Sequence, residues 1–194
     1  MEYSAGIMSY SFWFLESKKT VEYILEGLNK KEFVKLSVDK NIFQAVSDRR
    51  SREMANYLYR RFEKFPKEIL NYFLNVDINS AKIFVLIATL QIDKLFFEFM
   101  YEVFREKIIL GNLKLENKDF NIFFQNKMMQ SEKVANWKEK TIKSLKSVYL
   151  TMLKEAGVID NEKNIKIPFL DMKLKNLLIK NGYGPFVYSI TGDQ

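Results

Sequence analysis

The sequence predicts an all-α fold: a compact multi-helix globule with two helix-turn-helix-like units and a small β-hairpin, or wing, near residues 158–167. Apolar residues make up 47% and aromatics 15% of the 194 residues, enough for one well-buried core. Only 7 Gly and 3 Pro interrupt the chain, so loops are short. Apolar side chains recur at helical spacing along most of its length. The expected organisation is one domain over 1–194. It divides into an N-terminal helix-turn-helix lobe (about 1–66), a central hydrophobic core (about 67–116) and a C-terminal winged-helix-like lobe (about 117–194).

Taken in order, Ser11 can cap a helix to about Glu26, which Gly27 stops. Asn29 restarts a helix through Lys40, and Asn41 to Gln44 reads as a turn. Ser47 then caps a helix from Asp48 to Phe65 that Pro66 ends. These three helices with short links have the outline of a helix-turn-helix unit. Lys67 to Leu74, Ser80 to Ile92 and Lys94 to Leu110 are apolar on most faces and should be central, with Gly111 as their end. Helices at about 118–129, 131–137 and 141–156 lead to Ala156-Gly157, a left-handed stop. Val158-Ile159 and Ile165 to Ile167 flank a polar turn and suit the hairpin. A last helix runs from Asp171 to Lys180 and stops at Asn181-Gly182, and the tail from Tyr183 to Gln194 reads as irregular or a short strand.

The chain has no Cys and no His. That excludes a Cys/His zinc site, a thiol nucleophile, an imidazole base and a disulfide framework. The longest apolar run, Ile83 to Leu90, falls short of the roughly 20 residues of a membrane span. A non-enzymatic, cytoplasmic protein without cofactor or metal, monomeric in isolation, is the expectation. Glu98 and Glu102 read as helix surface. The aromatic cluster Phe96, Phe97, Phe99, Tyr101 and Phe104 reads as core.

The net charge of +7 is unevenly distributed. Residues 49–67 carry seven basic and two acidic groups, and residues 127–154 the same. On the first segment Arg49, Arg52, Asn56 and Arg60 fall at i, i+3, i+7 and i+11 and share one helix face, with Arg50 beside them. Guanidinium groups donate bidentately to phosphate or to guanine, and Asn suits adenine, so this row is compatible with duplex DNA. On the second segment Lys138, Lys140, Lys143, Ser144 and Ser147 lie opposite a core stripe of Ile142, Leu145, Tyr149 and Met152, and Thr141 is a candidate cap offering free N–H groups to phosphate. A solvated, charged helix face accounts for either pattern as well, and few local acids on the first helix favour a ligand.

Short stretches also resemble a known family. Tyr3-Ser4-Ala5-Gly6, Phe12, Glu16, Gly27, Asn41-Ile42-Phe43-Gln44, Arg60-Arg61-Phe62 and the segment Tyr149 to Gly157 are similar to BrxA of the bacteriophage exclusion (BREX) defence systems. The resemblance implies an all-helical, cytoplasmic protein that binds double-stranded DNA through two helix-turn-helix motifs beside positive patches. It implies work alongside a DNA methyltransferase and ATPase partners, and no catalytic residues. That family has also been likened to the RNA-binding antitermination factor NusB, which leaves RNA binding or a protein–protein scaffold as alternatives.

Overall fold

The computed structural model describes residues 2–193. A 3₁₀ turn at Gly6–Ser9 precedes α1 (Phe14–Leu25), α2 (Lys30–Asp39) and α3 (Asp48–Phe62). Next come α4 (Lys67–Asn75), α5 (Ile78–Ile92), α6 (Lys94–Phe99) and α7 (Arg105–Ile109), the last two fused through a π-turn at Met100–Phe104. The chain continues with α8 (Asn117–Gln130), α9 (Glu132–Ala135), α10 (Glu139–Glu155), α11 (Met172–Leu178) and α12 (Gly184–Thr191).

Polar side chains set most starts. Asn29 and Glu32 form a reciprocal capping box on α2, and Ser47 accepts from Arg50 N–H at the head of α3. Asp77, Asp93 and Asp171 cap α5, α6 and α11. The start of α1 departs from expectation. Trp13 adopts φ 52°, and the helix begins at Phe14 without a side-chain cap. The cause is Arg61 of α3, which is fully buried and draws the reversal inward. Its guanidinium donates to Phe12 O at 2.7 Å, Ser11 O at 3.2 Å and Ser17 Oγ at 3.3 Å.

The apolar side chains form two clusters. A small one packs Phe33, Phe43, Met54, Ala55 and Leu58 between α2 and α3. The large one runs from Phe62 through α5 and α6 to α8, α10, α11 and α12, so α3 feeds its middle turns into one cluster and its end into the other. Phe65 lies past the end of α3, which closes at Phe62, and packs on Phe84 and Tyr183. The tail also differs from expectation. Gly182 at φ 85° breaks the helix, and Pro185 opens a new one whose Val187 and Ile190 are wholly buried. Gln194 lies outside the described residues.

Glu98 and Glu102 are not simple surface acids. The ammonium of Lys127, 2% exposed, sits 2.5 Å from Glu98 and 2.6 Å from Glu102, and Tyr3 donates to Glu98 at 2.7 Å. Burial pushes the Glu98 carboxyl up, but hydrogen bonds from Lys127 and Tyr3 outweigh it and hold it below the usual range.

Candidate nucleic-acid interface

The apolar stripe of α3 fixes its rotation, and its polar residues divide over two surfaces. Arg49 is exposed but pairs with Glu53 at 3.0 Å. Arg50 approaches the same carboxylate at 3.6 Å, donates to Ser9 O at 3.1 Å and lies over the Trp13 ring. Their hydrogen bonds and charge, the Arg49 bond foremost, hold the Glu53 carboxyl below its ordinary value. Two of the five arginines of α3 are thus partly neutralised locally, and a third, Arg61, points inward.

Arg52 and Asn56 remain, and both open onto a groove between α2 and α3. Its other walls are Lys30, Lys31 and Lys35 of α2, with Val34 and Val38 between them and Asp39 as the one acid. Among the described residues none of Lys30, Lys31, Lys35 or Arg52 makes an ion pair. Four unpaired cations against one acid along one groove form an anion track. Asn56 donates through Nδ2 to Arg52 O at 2.9 Å, so its amide is turned along the helix. The α2 lysines escaped the sequence reading because Glu32 and Asp39 lie among them in the chain, and only the packing of α2 on α3 brings them beside Arg52.

Arg60 leaves this row. Its guanidinium lies over the Tyr57 ring and lines a separate cavity with the N-terminal segment and Asp93.

On α10 the expected cap is displaced. The helix begins at Glu139, Lys138 occupies the capping position without a side-chain bond, and Thr141 sits inside the first turn with its N–H bonded to Lys138 O. An acid at the first helical position already complements the helix dipole there, which leaves no need for a Thr cap. Lys143 pairs with Glu139 at 2.8 Å, while Lys138, Lys140 and Ser147 are exposed and Ser144 is half-buried. Lys146 turns away to Asn121 of α8, and burial pushes its pKa down. The hairpin after Gly157 is reduced to an isolated antiparallel bridge, Ile159 to Ile165. Val158, Ile159 and Ile165 are buried, and the turn is tied to Leu113 and Leu115, so it packs on the body instead of projecting as a wing.

The N-terminal segment joins the two basic surfaces. Its 3₁₀ turn packs on α10, Ser9 receives Arg50 of α3, and Tyr10 stacks on Tyr57 at 3.7 Å. Among the described residues no group of three or more acids could hold a metal, and no helix is long and apolar enough to cross a membrane.

The fold and this surface define an all-helical protein that offers a groove lined by unpaired cations. The BrxA family model matches residues 1–182. A BREX protein BrxA from Bacillus cereus (strain H3081.97) is 36% identical over 194 residues, covering 98% of this chain and 97% of that protein. The crystal structure of an uncharacterized protein from Magnetospirillum magneticum has the same fold, with a TM-score of 0.84 over 100% of both chains at 19% identity. The chain belongs to the BrxA family of the bacteriophage exclusion defence systems.

Proposed function

We propose that this protein is a non-enzymatic, cytoplasmic double-stranded-DNA-binding component of a BREX system, holding the duplex through its phosphates. The observation that carries this reading is the α2–α3 groove, where none of Lys30, Lys31, Lys35 and Arg52 makes an ion pair among the described residues and Asp39 is the one acid. Cations that release condensed counterions from DNA supply most non-specific affinity, and paired ones contribute less. In this account α2 and α3 act as the helix-turn-helix unit, Arg52 and Asn56 are the residues nearest base edges, and Arg49 and Arg50 assist. The α10 surface of Lys138, Lys140 and Lys143 with Ser144 and Ser147 forms a weaker second contact, and Thr141 serves helix packing. The partners inferred from the family resemblance, a methyltransferase and ATPases, would approach faces that the DNA leaves free.

The test is fluorescence anisotropy of the full chain with a labelled duplex, competed by unlabelled duplex, single-stranded DNA and RNA. Duplex DNA is expected to compete best. If RNA competed more strongly than duplex, the reading would give way to an RNA binder of the NusB kind.

A further inference from the structure

Arg60 and Asp93 face one cavity of about 350 Å³, enclosed by the N-terminal segment, the end of α3 and the α5–α6 junction. Ile7, Tyr10, Tyr57 and Ile92 supply its apolar and aromatic walls. Its polar lining includes Arg60, Asp93 and the Tyr57 ring, with Glu2 at the rim already paired to Lys133 at 3.1 Å. Among the described residues Arg60 makes no ion pair, and the carboxyl of Asp93 takes a hydrogen bond from Phe96 N–H at 2.9 Å and pairs with no cation. The Tyr57 hydroxyl is buried with no hydrogen bond among them. A carboxyl and a hydroxyl this buried and without a side-chain partner are uncommon in folded proteins, and the exposed guanidinium of Arg60 shares the cavity with Asp93 without closing on it, which leaves room for a ligand between them.

That ligand needs a flat body, two acceptors toward Arg60 and two donors toward Asp93. Guanine meets all three demands. Its O6 and N7 accept bidentately from a guanidinium, and its adjacent N1–H and N2–H₂ donate to the two oxygens of a carboxylate. Adenine presents the acceptor N1 where guanine presents a donor, so a carboxylate repels it. Tyr10, whose ring stacks on the buried Tyr57 at 3.7 Å, offers an aromatic wall for a base. Cavities of this size accommodate small ligands of a nucleobase's dimensions.

We propose that the cavity between Arg60 and Asp93 is a guanine-binding pocket, filled either by a free guanine nucleotide or by an unpaired guanine of a nucleic acid strand. The site is distinct from the α2–α3 groove and does not depend on the duplex-binding reading.

The experiment is calorimetric titration of the full chain with GMP and with AMP, repeated on Arg60→Gln and Asp93→Asn. Both variants keep the fold within reach, since Arg60 is exposed and Asn retains the capping oxygen. Thermal melting checks each of them. GMP is expected to bind at least about 10-fold more tightly than AMP, and each variant to lose about 10-fold or more of GMP affinity with little change for AMP. Competition of GMP by a duplex with one unpaired guanine, and not by a fully paired duplex, assigns the strand as a source. Competition by neither assigns the free nucleotide. Equal affinity for GMP and AMP, or GMP binding unmoved in both folded variants, overturns the proposal, and fully paired duplex binding, measured separately, stands or falls on the groove.

Discussion

Replacing Asp93 with Asn is expected to stabilise the protein at neutral pH by about 3 kcal/mol, and the gain should shrink as pH falls. Burial raises this carboxyl from an ordinary 3.8 to about 6, against the backbone hydrogen bonds of its capping role and the attraction of Arg60. A shift of about two units at roughly 1.4 kcal/mol each sets the magnitude. The sign follows from linkage. The native state binds the proton more tightly than the unfolded chain, so this group costs nothing below about pH 4, grows costly as pH rises through 4 to 6, and reaches its full penalty above that range. Asn keeps the cap on α6 and carries no charge. Urea denaturation of both proteins at about pH 4.5 and about pH 7.5 should show the stability gap widening by about 2 kcal/mol between the two conditions. A gap that stays constant with pH would refute the burial argument.

Three further outcomes follow from the contacts. Arg52→Gln should weaken duplex affinity several-fold at low salt, whereas Arg49→Gln, which loses a cation already paired with Glu53, should change it less; anisotropy titrations compare them. Lys127→Met should destabilise by about 1–3 kcal/mol in urea, because it removes the cation nearest to Glu98 and Glu102 and leaves only Lys94, 3.6 Å from Glu98; an unchanged midpoint would count against the cluster. Gly192→Ala should lower the melting temperature. Gly192 closes α12 at φ 77°, and an added Cβ would lie 2.5 Å from Ile108 Cγ2, so a loss of about 1–3 kcal/mol is expected.

The helices were legible where a local signal sets them. Asn29, Ser47, Gly27, Gly111 and Gly157 act within one turn of themselves, and the sequence places them correctly. Misplaced boundaries came from long-range causes. Ser11 is no cap because α1 begins only at Phe14, past the Trp13 reversal, where the carbonyls of Ser11 and Phe12 are held by Arg61 some fifty residues away. The tail is helical because Val187 and Ile190 find the core, which a glycine- and proline-marked stretch does not reveal. The candidate site was half legible. The amphipathic pattern exposes Arg52 and Asn56, but it counts Arg61 among the basic groups of a helix on which that residue is wholly buried. The lysines of α2 belong to the groove only after α2 packs against α3, and a segment-by-segment charge count averages them away.

The central claim is that unpaired cations of the α2–α3 groove hold duplex DNA, and the salt dependence of wild-type affinity tests it most directly. Four such cations, at about 0.9 per phosphate, give a slope of log K on log salt near −3.6, or roughly a 150-fold loss of affinity between about 50 and 200 mM. A steep decline of that order, shallower when Lys30, Lys31, Lys35 and Arg52 are replaced together by Gln, is the predicted result. Affinity for duplex that stayed flat across the same range would contradict the account.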